Sequence, residues 1–168
     1  MKTKIALKYG LISGGLIVGS WFLTIGMSEN PDFAIGEVIG YAIMLAALTA
    51  VFLGIKRIRD EQGSLSFKEA FLNGLGITLV ASIVYVAGWM IYMPNFAPEF
   101  VDKYRLSQIE LIEQSDATQD EKTKEINEMN EWMDSYKKPH VMAAMTFTEI
   151  FPVGLIVTLI SSLILKRK

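Results

Sequence analysis

One uncharged stretch decides the fold of this chain: FLNGLGITLVASIVYVAGWMIYM, residues 71–93. A helix needs about 20 predominantly apolar residues to cross the roughly 30 Å hydrocarbon core of a bilayer, and this run has 23. Soluble proteins seldom keep a helix apolar on every face for so long, because one face normally meets water. The stretch therefore predicts a membrane-spanning helix.

Three further apolar runs have a similar length, and they cover residues 9–27, 33–55 and 141–165. Their only charged side chains are Glu37 and Glu149. The composition agrees, since 51% of the 168 residues are apolar. The chain is therefore predicted to be all-α, a single integral membrane domain over residues 1–168 built as a four-helix transmembrane bundle.

The segment between the third and fourth runs, residues 94–140, is polar and carries 11 acidic and 6 basic residues. Its apolar side chains Ile126, Met129, Met133 and Tyr136 recur at the spacing of one helix face. The segment therefore predicts a helical hairpin outside the membrane.

The form of this hairpin is open on sequence alone. It is either a pair of antiparallel helices with a turn near Ser115-Asp116, or two straight extensions of the third and fourth spans. The absence of an intervening glycine favours extensions, whereas Pro94, Pro98 and Pro139 are expected to kink the junctions.

Two capping boxes mark helix starts, because a hydroxyl and a carboxylate three residues apart satisfy the first free amides of a helix. Ser66-Phe67-Lys68-Glu69 is expected to start the third helix, after a turn at Gln62-Gly63-Ser64. Thr118-Gln119-Asp120-Glu121 is expected to start the second hairpin helix.

The basic residues indicate an orientation. The N-terminal stretch, the 56–70 loop and the C-terminal tail together hold 10 basic and 3 acidic residues, whereas residues 28–32 and the hairpin hold 6 basic and 13 acidic ones. Lys and Arg stay on the cytoplasmic side, so both termini are predicted to be cytoplasmic. Lys56, Arg57 and Arg59 are either an anchor for anionic headgroups or simple topology determinants.

Glu149 is the main candidate for a functional residue. It lies about 13 Å along the helix from His140 at 1.5 Å per residue, where a charge is costly unless it is paired or hydrated. Pro152 removes a helical hydrogen bond near Thr148, and an acid beside such a kink is typical of an ion or proton site. The alternative is a neutral glutamate that bonds across the bundle and fixes helix packing.

Glu37 is the second embedded acid. An acidic residue near the start of a helix is stabilised by the helix dipole, and a helix starting at Asn30 or Asp32 would give Glu37 this structural role. Both acids belong to the same half of the bilayer, so they can also line one water-filled cavity that opens outward.

Small residues at a spacing of four allow helices to approach closely. This pattern predicts helix packing within the bundle, or alternatively a homo-oligomer, at Gly10, Gly14, Gly15, Gly19, Gly36 and Gly40.

The words Gly54-Ile-Lys-Arg-Ile-Arg-Asp-Glu and Leu65-Ser-Phe-Lys-Glu-Ala-Phe71 resemble the bacterial domain-of-unknown-function 4199 family, four-span membrane proteins of Bacteroidetes-type bacteria. The resemblance covers essentially the whole chain, and Arg59, Asp60, Ser66 and Phe67 match its pattern. It implies a location in the inner membrane of a Gram-negative cell, with the hairpin in the periplasm. It implies no activity.

Cysteine is absent and histidine occurs once, which leaves little basis for a thiolate or histidine metal site or for nucleophilic catalysis. No cofactor, catalytic residue or nucleic-acid partner is predicted. The expected function is a non-enzymatic membrane scaffold or accessory subunit that contacts a protein partner through the hairpin. The alternative is a small transporter or channel that uses Glu149.

Overall fold

The computed structural model describes residues 2–25 and 33–166. The all-α prediction is confirmed, because this part of the chain forms helices and no strand. Six helices follow one another in these ranges: α1 Thr3–Thr24, α2 Phe33–Gln62, α3 Phe67–Phe96, α4 Phe100–Gln114, α5 Gln119–Tyr136 and α6 Pro139–Leu165.

Four of these helices, α1, α2, α3 and α6, are long and apolar enough to cross a membrane by length and composition. Helices α2, α3 and α6 contain their predicted runs and extend beyond them, because polar residues at the run ends continue the helices. Residues 56–62, for example, add two turns to α2. Helix α1 begins before its run, at Thr3, and ends at Thr24, with Ile25 as its C-cap. Residues 26–27 of the first predicted run and the expected helix start at Asn30 or Asp32 lie outside the described residues.

The turn between α2 and α3 has the predicted local structure. Gly63 takes a positive φ of 76°, a conformation that other residues rarely adopt. The Ser66 hydroxyl accepts from the Glu69 amide, and the Glu69 carboxylate accepts from the Ser66 amide at 3.1 Å. This capping box satisfies two of the free donors at the start of α3.

The bundle has two ends, which can be placed by contacts. The Lys2 ammonium lies 3.0 Å from the Glu61 carboxylate, so the N-terminus and the α2–α3 turn share what we call the terminal end. The Thr78 hydroxyl bonds the Gly154 carbonyl at 3.2 Å; nearer the other end, Tyr85 bonds Glu149. Helix α6 therefore runs antiparallel to α3, and the α4–α5 side is the hairpin end.

Close packing fills the half of the bundle toward the terminal end. Leu48, Val51 and Ile55 of α2 and Ile77 of α3 have no exposed surface. Helix α3 packs on both α1 and α6, and α2 closes the other side against the same two helices.

The hairpin is a pair of antiparallel helices, and a helix break separates each of them from the neighbouring span. Helix breaks at residues 97–99 and 137–138 interrupt the chain on both sides of it, so the continuous helical extensions favoured from sequence are not found. The physical reason is Pro98 and Pro139, which lack the amide that a continuing helix needs. Pro94, in contrast, lies inside α3.

The turn of the hairpin and its cap follow the prediction. Helix α4 ends at Gln114 and α5 begins at Gln119, so the turn includes Ser115-Asp116. The Thr118 hydroxyl accepts from the Glu121 amide, and the Glu121 carboxylate accepts from the Thr118 amide at 2.9 Å.

Candidate functional site

A cavity of about 540 Å³ lies at the hairpin end, where the spans stop packing closely. Each of α1 to α6 contributes to its wall, and we call it the acidic cavity because two carboxylates line it. Its lining is Ile17, Ser20, Trp21, Thr24, Ile25, Phe33, Gly36, Glu37, Gly40, Tyr41, Met44, Tyr85, Trp89, Phe100, Val101, Tyr104, Met129, Trp132, Met133, Tyr136 and Glu149.

Glu149 enters the cavity from α6. Its carboxylate accepts a hydrogen bond from the Tyr85 hydroxyl of α3 at 3.1 Å, and the side chain remains accessible from the cavity. The neighbouring candidates lie elsewhere. The Thr148 hydroxyl donates to the Met145 carbonyl at 2.7 Å, and neither Thr148 nor Pro152 lines the cavity.

Glu37 reaches the same cavity from α2. It is the fifth residue of that helix as described, so it lies just past the first turn. Each residue from 34 to 42 is exposed, whereas Phe33 at the start of the helix packs on α4. Glu37 and Glu149 therefore line the same cavity from two different helices.

The aromatic lining was not predicted as part of a site. Trp21 lies with its ring centre 5.0 Å from that of Trp89 and 5.2 Å from that of Tyr85. Amphipathic rings near span ends usually lie at the membrane interface, so the positions of Trp21 and Trp89 in the sequence do not by themselves indicate a binding site. The sequence did offer one signal, because Trp21 and Trp89 lie near the C-terminal ends of the first and third apolar runs.

The hairpin covers the cavity and is fastened to the spans. The Trp89 indole donates to the Tyr136 hydroxyl at 2.8 Å. Phe33 lies 5.4 Å from Phe100 and 5.3 Å from Tyr104, measured between ring centres. The Met133 side chain is buried at this junction, so that part of the hairpin faces the spans.

The ionisable carboxyl groups in the cavity wall have no basic partner among the described lining residues. Among the described residues that line it, Glu37 and Glu149 are the charged ones, and both are acidic. Two basic residues of the hairpin are already paired: Arg105 with Asp134 at 2.7 Å and Lys137 with Asp102 at 2.8 Å.

Hydrogen bonding and burial shift the pKa values of groups in the hairpin. The hydrogen bond from Lys137 holds the pKa of the Asp102 carboxyl below its usual range, because a positive donor favours the charged form. Burial raises the pKa of the Tyr136 hydroxyl, so at neutral pH this hydroxyl is uncharged and accepts the Trp89 hydrogen bond.

The predicted packing glycines divide into two groups. A Cβ atom at Gly10 or Gly14 would lie 2.5 Å from Val80 or 2.6 Å from Val84, so both glycines form the close contact between α1 and α3. The other four have nothing within 4 Å of an added Cβ: Gly15, Gly19, Gly36 and Gly40. Gly36 and Gly40 face the acidic cavity.

The predicted headgroup anchor lies at the terminal end, far along α2 from the cavity. Lys56 is exposed. Arg57 pairs with Glu61 at 2.8 Å, and Arg59 pairs with the adjacent Asp60 at 3.0 Å. Both arginines therefore share their charge with an acid of their own helix.

Within residues 2–25 and 33–166, no group of three or more His, Cys, Asp or Glu side chains is placed to hold a metal ion.

Comparison with known proteins gives a family and no function. No curated protein and no solved structure matches the chain. A family described as "Protein of unknown function (DUF4199)" matches residues 8–167. Because this match covers nearly the whole chain and agrees with the resemblance in residues 54–71, the chain belongs to the DUF4199 family.

Proposed function

We propose that the protein is a small non-enzymatic membrane transporter whose binding site is the acidic cavity. The observation that carries the proposal is the convergence of Glu37 and Glu149, from two different spans, on one cavity. An acidic residue inside a span is costly, and such residues mark ion and substrate pathways. The proposal follows the alternative that Glu149 already raised in the sequence.

The rest of the bundle supports a transporter over a channel. A channel needs a continuous pore, but Leu48, Ile55 and Ile77 are fully buried and pack the bundle toward the terminal end. A transporter opens its site to one side at a time. A cavity at the hairpin end, above a closely packed half of the bundle, fits one such state.

The proposed orientation places the hairpin on the outer face of the inner membrane, with both termini cytoplasmic. It rests on the excess of Lys and Arg at the terminal end. In this orientation the acidic cavity takes its solute from outside the cell membrane, and Glu149 is the group that binds a proton or a cation at the cavity wall.

Proton movement in liposomes tests the function. The full chain is reconstituted, a pH gradient is imposed, and an enclosed pH-sensitive dye reports its decay, with valinomycin and K⁺ cancelling the electrical potential. Wild type is expected to dissipate the gradient faster than protein-free liposomes, and Glu149→Gln is expected to return to the protein-free rate. Glu131→Gln, an exposed acid of α5 outside the cavity, is the matched control.

Two results contradict the transporter. One is a wild-type rate equal to that of protein-free liposomes. The other is a folded Glu149→Gln variant, checked by its elution on gel filtration, that keeps the wild-type rate.

The scaffold expected from sequence is the second candidate, and one observation favours it. Leu106 and Leu111 on the hairpin are 65% and 58% exposed, and Trp132 is 45% exposed. Exposed apolar side chains on a soluble segment are typical of a contact surface. Affinity purification with Leu106→Ser/Leu111→Ser is expected to lose partners that the wild type captures. Recovery of the same partners by both counts against the scaffold.

A further inference from the structure

The acidic side chains of the cavity favour a positive ligand. Glu37 and Glu149 contribute two carboxylates, and the described lining contains no Lys, Arg or His. Carboxylates that share a site disfavour each other's charged form. A cation placed between them removes this repulsion, whereas an anion increases it.

The shape and lining select the kind of cation. Metal ions such as Ca²⁺ or Mg²⁺ need about six or more oxygen ligands at close range, and most of the residues in this wall are apolar or aromatic. A volume of about 540 Å³ belongs to the range of about 300–1,000 Å³ typical of small-molecule pockets. The cavity therefore fits an organic molecule better than a bare ion.

Aromatic rings supply the recognition. Nine of the lining residues are Trp, Tyr or Phe, and a cation within about 6 Å of such a ring is attracted by its negative face. The Trp89 indole N–H and the Tyr85 hydroxyl already donate hydrogen bonds within the protein, to Tyr136 and Glu149 respectively. These two side chains therefore offer a ligand their ring surfaces more than free hydrogen bonds.

We infer that the acidic cavity binds an organic monocation, an alkylated ammonium whose apolar groups pack on the aromatic lining while its positive charge is attracted by Glu37 and Glu149 and offsets part of their negative charge. The inference rests on the proposed function and names the ligand class of the same cavity.

The chain contains its own reporter for this test. It has three tryptophans, and Trp21, Trp89 and Trp132 all line the cavity. The full chain in lipid nanodiscs is titrated with benzyltrimethylammonium while tryptophan emission is recorded. Neopentylbenzene, in which carbon replaces the charged nitrogen, is the neutral probe of the same shape.

We expect a saturable emission change with the cation and affinity lower by about tenfold for the neutral probe, equivalent to about 1.4 kcal/mol. Glu149→Gln and Glu37→Gln are each expected to weaken cation binding by about tenfold. They should leave the weak binding of neopentylbenzene unchanged. Glu131→Gln is expected to bind the cation as wild type does.

A second pair of variants leaves both carboxylates in place. Gly40 and Gly15 both have open space for a side chain, but only Gly40 lines the cavity. Gly40→Leu is expected to abolish cation binding by occupying the cavity, and Gly15→Leu is expected to bind normally.

The ligand class is wrong if the neutral probe binds as tightly as the cation, if Glu131→Gln weakens binding as much as Glu149→Gln, or if Gly40→Leu binds normally. These failures can be told apart from failure of the proposed function. Proton movement that still depends on Glu149 would keep the transporter while rejecting the organic monocation.

Discussion

Neighbouring glycines of α1 have different surroundings, although the sequence pattern treats them alike. A Cβ atom at Gly14 would lie 2.6 Å from the Val84 Cβ and 2.9 Å from the Ala81 carbonyl oxygen, whereas one at Gly15 would have no neighbour within 4 Å. A spacing of four identifies small residues, but only the partner helix decides which of them are in contact.

This difference predicts the effects of two matched variants. Gly14→Ala is expected to lower the free energy of unfolding by about 1–3 kcal/mol, because an added methyl group must push apart two packed helices. Gly15→Ala is expected to be neutral or slightly stabilising, since alanine favours helix more than glycine does. Unfolding in mixed micelles measures both, and equal losses would contradict the assigned α1–α3 contact.

Glu149 shows what sequence can and cannot reveal about a site. Its apolar surroundings in the chain identify it as unusual, because a charge in a span is costly. Its hydrogen bond to Tyr85 and its shared cavity with Glu37 come from other spans. The order of residues along the chain does not show which faces of α2, α3 and α6 contact one another.

Helix α5 shows how local chemistry sets an element. Its Thr118 cap holds the first turn, and the exposed position of this cap separates it from the packing of the spans. Thr118→Ala is expected to cost about 1 kcal/mol, typical of a lost N-cap. Hydrogen exchange is expected to become faster for the amides at the start of α5 and to stay unchanged in α3. A loss spread over the whole bundle would contradict a local role.

The ion pair between Asp102 and Lys137 predicts an acid dependence of the α4–α5 contact. The pKa of Asp102 is lower in the folded protein than its ordinary value of about 3.9. Its contribution is therefore present above about pH 4 and is lost as pH falls through the folded pKa below that. Hairpin hydrogen exchange, corrected for intrinsic rate, is expected to be stable from neutral pH to about pH 5 and to rise in stronger acid.

Asp102→Asn is the control for this acid dependence. The variant lacks the titrating carboxyl, so part of the acid response of the hairpin is expected to disappear. An unchanged acid response in the variant would assign the effect to other carboxyl groups.

At the level of elements, the sequence predicted most of the fold. Four long apolar runs and two capping boxes sufficed for the spans and for the starts of α3 and α5, because length, polarity and caps are local properties. The hairpin junctions were less well predicted. The absence of glycine favoured continuous helices, but the missing amides of Pro98 and Pro139 were the stronger effect.

For the whole molecule, the absence of cysteine permits a direct test of orientation. Ser115 in the hairpin turn and Ser64 in the α2–α3 turn are both exposed and lie at opposite ends of the bundle. With a membrane-impermeant maleimide, Ser115→Cys is expected to react in intact spheroplasts and Ser64→Cys only after the membrane is opened. The reverse pattern would invert the proposed orientation.

The exposure of residues 34–42 of α2 has a consequence for how a ligand reaches the acidic cavity. Residues 34–42 are exposed, so in a bilayer this part of α2 lies against the acyl chains beside the cavity. An apolar cation of the proposed class would partition into the leaflet, and its concentration beside α2 would then exceed its concentration in water. At a fixed free concentration in water the equilibrium occupancy is the same for either route, so entry from the leaflet should appear as faster association for cations that partition more strongly into lipid.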